Sequence, residues 1–170
     1  MQKILTVFGD ENFPKWGSGR SFKQRTKAID RIIEFFRITG PELVYVIPSL
    51  GTNSIIPMVC EQMKIPFIIV SPYSGYCDFS PVIDKLTIAK ALEACKSFIV
   101  VNEEGPKSAK EMEDSVNESI DLCCKVSSAM VFMYSKNRSK KYEILMDRLC
   151  TKPVEHVWEL IYDSPKPSRE

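Results

Sequence analysis

No apolar stretch in this chain approaches the roughly 18–20 residues that cross a bilayer, so no membrane contact is expected. Charge of one sign is also lacking. The 23 basic residues stand against 22 acidic ones, for a net charge of +1. That balance removes the molecule-wide positive field of a nucleic-acid binder and leaves no acidic interaction tail. Histidine occurs once, at His156, and neither paired cysteines nor an EF-hand spacing is present, so no metal is expected. Neither a Walker loop nor G-x-G-x-x-G occurs, and no cofactor is expected. Six cysteines (Cys60, Cys77, Cys95, Cys123, Cys124, Cys150) are present, but no C-x-x-C. Four of the six sit inside apolar-periodic segments. The opening Met1–Phe8 is too short for a signal-peptide core and runs into Gly9-Asp10-Glu11. Free buried thiols and a cytoplasmic location are therefore expected.

What is present is an ordinary globular composition, 44% hydrophobic and 26% charged over 170 residues. A chain of this length buries roughly 70% of its unfolded surface in one core and needs no staple. There are no internal repeats and no low-complexity linker. One domain over residues 1–163 is expected, followed by a flexible tail at 164–170.

Short β-rich runs alternate with longer helical patterns. The runs are Ile4–Phe8, Leu43–Ile47, Phe67–Val70, Phe98–Val101, Met130–Met133 and Val154–Leu160. Most are continuously apolar, which suits strands buried on both faces. The last alternates apolar and polar residues and suits an edge. Helical spacing marks Phe22–Ile38, Asn53–Met63, Asp84–Ala94, Lys107–Cys124 and Ser139–Leu149, with Thr39-Gly40-Pro41 as a stop after the first. This alternation predicts a three-layer, Rossmann-like α/β fold. Its mostly parallel sheet has about six strands, with helices on both faces and right-handed crossovers.

In such sheets ligands bind beyond the carboxyl ends of the strands. Strand one leads into Gly9-Asp10-Glu11 and a polar loop holding Phe13 and Trp16, read either as a ligand loop or as a cap on the core. Strand two leads through Gly51-Thr52-Asn53-Ser54 into a helix. Thr52, Asn53 or Ser54 is expected to cap that helix, and its unpaired amides would face an anionic or polar group across Gly51. Strand three is followed by Ser71–Pro81, a long connection in which Pro72 and Tyr73 come first. Cys77 beside Asp78 would need an activating base to act as a nucleophile, and His156 lies in the last strand. Glu103-Glu104 read as solvated turn charges. Asn117 sits mid-helix without capping duty, either lining the strand-end cleft or merely exposed, with Asp121 four residues on. Strand five leads into Tyr134–Tyr142, a basic cluster with Ser135, Lys136, Arg138, Lys140 and Lys141, read either as a site for a small anion or as a solvated face. Arg20 is a further cation in reach.

The order Val7-Phe8-Gly9, Phe13-Pro14-Lys15-Trp16 and then Ser49-Leu50-Gly51 before a helix resembles the SLOG superfamily of Rossmann-like, DprA/LOG-type proteins, and within it the YpsA-like branch. Ile65–Tyr73 looks like that group's third strand and turn. The stretch from Val116-Asn117 to Met133-Tyr134-Ser135 looks like the helix–strand unit carrying its asparagine. The similarity spans most of residues 3–150. The sequence departs from the pattern at Glu11 and Val116, where arginine is usual, and in the glycine-free turn Ser135–Ser139. The Pro-Gly-Gly-x-Gly-Thr-x-x-Glu motif of the phosphoribohydrolase members is missing, which argues against that cleavage.

The resemblance implies a nucleotide or nucleotide-derived small molecule as ligand, bound by Gly9, Asp10, Gly51, Thr52, Asn53, Pro72, Tyr73, Asn117, Ser135 and Arg138. It implies sensing or sequestering, and a homo-oligomer, although the sequence shows no interface. Two alternatives stand beside it: a nucleotide N-glycoside hydrolase or related nucleotide-processing enzyme, and a protein-interaction module with a vestigial pocket. The residues alone assign no catalytic role.

Overall fold

The computed structural model describes residues 3–10, 19–48, 55–76, 89–134, 136, 139–152 and 154–161. Six strands form one sheet: β1 (Ile4–Gly9), β2 (Leu43–Val46), β3 (Phe67–Tyr73), β4 (Ser97–Asn102), β5 (Ala129–Tyr134) and β6 (His156–Ile161). The order across the sheet is β4-β3-β2-β1-β5-β6. Every neighbouring pair is parallel. The helices are α1 (Gly19–Thr39), α2 (Ile56–Met63), α3 over residues 89–94, α4 (Ala109–Val126) and α5 (Lys140–Leu149). This is the three-layer Rossmann-like α/β architecture that the sequence pattern predicts.

Period-two side-chain alternation divides each strand between two cores. Leu5, Val7, Val44, Val46, Val131 and Met133 face one side, where Ala28, Ile32 and Phe36 of α1, Val59 and Cys60 of α2 and Ala91 of α3 meet them. Phe8, Ile68, Val70, Met130 and Phe132 face the other, covered by Ile120 and Cys123 of α4 and by Tyr142, Met146 and Leu149 of α5. The connections explain the split. Three successive crossovers carry the chain from β1 out to β4 in one direction. The next two, back to β5 and on to β6, run in the opposite direction. Crossovers of one hand must then place their helices on opposite faces.

Local chemistry sets the ends of these elements. Gly40, at φ +57, donates its N–H to the Phe36 carbonyl at 2.9 Å and stops α1. Ser108 caps α4 by accepting from the Glu111 N–H at 3.1 Å, and the Glu111 carboxylate accepts from the Lys107 N–H at 2.6 Å. At α2 the cap position falls to Ile55, whose side chain accepts nothing, and Pro57 occupies the first turn. A proline there removes one of the amides that would otherwise need an acceptor. Thr52, Asn53 and Ser54, expected to cap this helix, lie outside the described residues.

One boundary departs from the sequence reading. β3 continues through Ser71, Pro72 and Tyr73, which the sequence places in the following loop. β2 ends at Val46, opposite Ile69, so beyond that point β3 has no strand on that side. On its other side Ser71 and Tyr73 pair with Val100 and Asn102. Pro72 therefore needs no ladder donor, the condition under which proline is tolerated in a strand. The last strand is at the sheet edge, as its alternation suggests.

No described helix is long and apolar enough to cross a membrane. Cys60, Cys95, Cys123, Cys124 and Cys150 are free thiols, the first, third and fourth of them buried; Cys77 lies outside the described residues.

Candidate functional site

The chain leaves β1 toward β2 and leaves β5 toward β6, so adjacent strands send their connections in opposite directions. Such a switch point opens a crevice at the carboxyl ends of the strands. Here α4 widens it. Near its start Ser115 accepts from the Asn102 amide at 3.2 Å, beside β4. Near its end the Cys123 carbonyl accepts from the Thr6 hydroxyl at 3.2 Å, over β1. The helix thus crosses the sheet diagonally on its way back to β5. Tyr142, in the first turn of α5, donates its hydroxyl to the Phe8 carbonyl and packs edge-on against Phe132. The two helices make little direct contact, and diverge toward the strand ends.

Between them lies a cavity of about 570 Å³. Phe8 and Ile47 form its floor, with Val116 and Ile120 on one wall and Leu145 and Tyr142 on the other. Tyr76, Met112 and Ile144 stand toward its mouth; Met112 and Ile144 are exposed. Two ties cross the closed end. Asn117 Oδ1 accepts from Arg148 Nη1 at 2.6 Å. Lys152 Nζ pairs with the Asp121 carboxylate at 3.0 Å. Lys141 and Glu113 complete the polar lining.

Asp10 braces the floor. Its side chain is 1% exposed. Its carboxylate accepts from the Ser139 amide at 2.9 Å and from the Ser139 hydroxyl at 3.0 Å. Ser139 is the cap of α5, accepting in turn from the Tyr142 N–H at 3.2 Å. A carboxylate at a helix start also complements the helix dipole. Asp10 N–H, meanwhile, donates to the Met133 carbonyl at 3.1 Å. The first strand, the fifth strand and α5 are thereby locked to one residue.

Of the residues expected to bind ligand, Gly9, Asp10 and Asn117 come together in this cavity. Pro72 is buried in β3 and Tyr73 half-buried at its end. Tyr73 packs edge-on against Tyr76, ring centroids 5.2 Å apart, and it is Tyr76 that reaches the cavity. Gly51, Thr52, Asn53, Ser135 and Arg138 lie outside the described residues. Asn117 and Asp121 do share a face, the one tied to the α5 side.

Lys141 belongs to the basic cluster that the sequence places after the fifth strand. Arg148 is a contribution that the sequence reading missed; its signal was the helical spacing of α5, whose polar positions flank the stripe of Tyr142, Met146 and Leu149. Arg25, which does not line this cavity, was also missed. It falls three residues before Ala28 and seven before Ile32, on the sheet-facing stripe of α1, and is only 7% exposed.

A second hollow, of about 520 Å³, lies beside β4 among Glu103, Glu104, Glu111, Asp114 and Glu118. It is wide open, and Glu103 and Glu104 are exposed turn charges, as expected. Among the described residues no cluster of His, Cys, Asp and Glu is arranged to hold a metal ion. Burial pushes the Cys60 thiol up to about 12. Burial, with the neighbouring Cys124 second, does the same to Cys123. Thiols so raised stay protonated and make poor nucleophiles.

No family model matches the chain, and no curated protein matches it in sequence.

Proposed function

We propose that this protein binds a nucleotide or nucleotide-derived small molecule in the cleft between α4 and α5, as a sensing or sequestering protein of the SLOG type. The observation that supports this reading best is the position of the cavity. It opens at the carboxyl ends of the strands beside the switch point, is floored by the turn after β1, and contains Asn117. Its volume falls within the range of about 300–1,000 Å³ typical of small-molecule sites, and its lining is apolar with few convergent polar groups, the usual composition of such a site. The asparagine amide offers both a donor and an acceptor. Cytoplasmic residence and a homo-oligomeric state belong to the same reading.

Binding is favoured over turnover by what the described residues offer at the cleft. Asp10 accepts from both Ser139 donors, and the Cys123 thiol, buried on the same face of the sheet, is pushed up to about 12 and stays protonated. Mass spectrometry of the denatured, freshly purified protein tests the proposal. A stoichiometric nucleotide-like species is the expected result. Release of free base from added nucleoside monophosphates would replace binding by hydrolysis. Absence of any bound species, together with no heat of binding across a nucleotide panel, would remove the proposal in favour of an interaction module.

A further inference from the structure

We infer that the cleft selects a ligand with an apolar body and a single anionic group, and that Arg148 is the residue that reads the anion. The inference rests on the reading of the cleft as a small-ligand site and narrows the chemistry that site accepts.

The walls demand an apolar body. Val116, Ile120 and Leu145 present hydrocarbon to the cavity, and filling it with a hydrated sugar or bare phosphate would strand polar groups against them. A flat aromatic or alicyclic moiety recovers the apolar burial instead, with Tyr76 and Met112 available to cover it at the mouth.

The charges limit the head group. Lys141 and Arg148 are cationic, whereas Asp10 and Glu113 are carboxylates on the same lining. With Asp10 already accepting from Ser139, Glu113 remains to repel a second or third acidic group. One acidic group gains from Arg148; a triphosphate meets the carboxylate as well. Arg148 is the better placed reader because it is oriented. Asn117 accepts one of its five N–H donors in an exposed hydrogen bond at 2.6 Å, which turns the guanidinium across the cleft and leaves its other donors to an anion. The remaining donors suit a carboxylate, sulfonate or phosphate. Asn117 is on this account a positioning residue for Arg148.

Fluorescence titration of the full chain tests the inference. The probes are anilinonaphthalene sulfonate, which has an aromatic body and one anion, and its uncharged analogue phenylnaphthylamine. The sulfonate is expected to bind saturably to the folded protein, verified by near-ultraviolet circular dichroism. Arg148→Gln is expected to weaken it by about tenfold, the loss of one charge-assisted hydrogen bond. Arg148→Lys is expected to recover part of that loss, and phenylnaphthylamine should respond little to either variant. AMP is expected to displace the sulfonate, and ATP to do so less well. Unchanged affinity in Arg148→Gln, or ATP displacing better than AMP, overturns the inference, as does the absence of saturable binding. If the sulfonate depends on Arg148 but AMP fails to displace it, the nucleotide reading falls and the inference stands. If AMP binds equally well to Arg148→Gln, the reverse holds.

Discussion

The same six strands present two apolar faces, and the described helices cover them unequally. α1, α2 and α3 lie over one face, α4 and α5 over the other. Six strands at about 4.8 Å span about 24 Å, and helices pack about 8–10 Å apart, so among the described residues three helices fill that width on one face and two leave part of it open on the other. The shortfall is a consequence of topology. The crossover from β4 must return over three strands to reach β5 with a single helix, and α4 runs diagonally to do so. Its start stays with β4 while its end reaches β1. The gap that opens between α4 and α5 is the cleft, and its place at the strand ends follows from the direction of that diagonal. One face is thus a closed core; the other is a core with a site in it.

Truncation should hurt most where three helices close the core. Phe36→Ala, at a side chain 1% exposed, is expected to cost about 3–5 kcal/mol in urea unfolding. Equal loss from Leu145→Ala, on a wall already bordering a cavity, would erase the distinction between the faces.

Next in size is the brace that holds α5 to the sheet where packing against α4 is lacking. Asp10→Ala removes the acceptor of both Ser139 donors and is expected to cost about 2–3 kcal/mol. Asp10→Asn, which retains one acceptor oxygen, should cost less. Hydrogen exchange at the first turn of α5 should rise in both.

Overfilling separates the faces in sign. Ala28 is wholly buried between α1 and the sheet, and Ala28→Phe is expected to destabilise by about 1–3 kcal/mol. Val116→Phe projects into the cleft and should change stability by less than about 1 kcal/mol while abolishing binding of the naphthalene probe.

The faces should agree in their response to alkali, because each buries a thiol beside the sheet. Cys60 and Cys123 are raised from 9.0 to about 12 when folded. A group whose folded value is raised contributes its stability below its unfolded value and loses it as pH climbs toward the folded one. Stability should therefore be flat below about pH 8 and fall above pH 9, by about 1 kcal/mol per thiol in the first pH unit. Cys60→Ala and Cys123→Ala should each flatten that slope by a similar amount. A difference between them would show that water reaches Cys123 through the cleft.

The smallest effect belongs to the tie across the cleft. Arg148→Gln is expected to move stability by no more than about 0.5 kcal/mol, since the pair is exposed and screened. Its consequence should be confined to ligand affinity.

Sequence periodicity placed the strands and the described helices within a few residues of where they lie, because continuous apolar runs and helical stripes report burial directly. The end of β3 was not legible. Proline in Ser71-Pro72-Tyr73 reads as a loop until the early end of β2 is known, and that is a fact about a different segment. The site was half legible. Asn117 stood out because a mid-helix asparagine contradicts local propensity, and Lys141 fell in the basic cluster after the fifth strand, whereas Arg148 looks like any solvated residue of an amphipathic helix.

Local information determined the alternation of strand and helix, the stop at Gly40, the cap at Ser139 and the edge position of the last strand. Each depends on residues adjacent in the chain, whose conformational preferences act whatever the rest does. Strand order, the reversal between β1 and β5, and the diagonal of α4 depend on which distant segments pair. That pairing is what gathers Asp10, Asn117, Tyr142 and Arg148 around one cavity. Buried area summed over the whole sheet decides it, so no single stretch of sequence carries the answer.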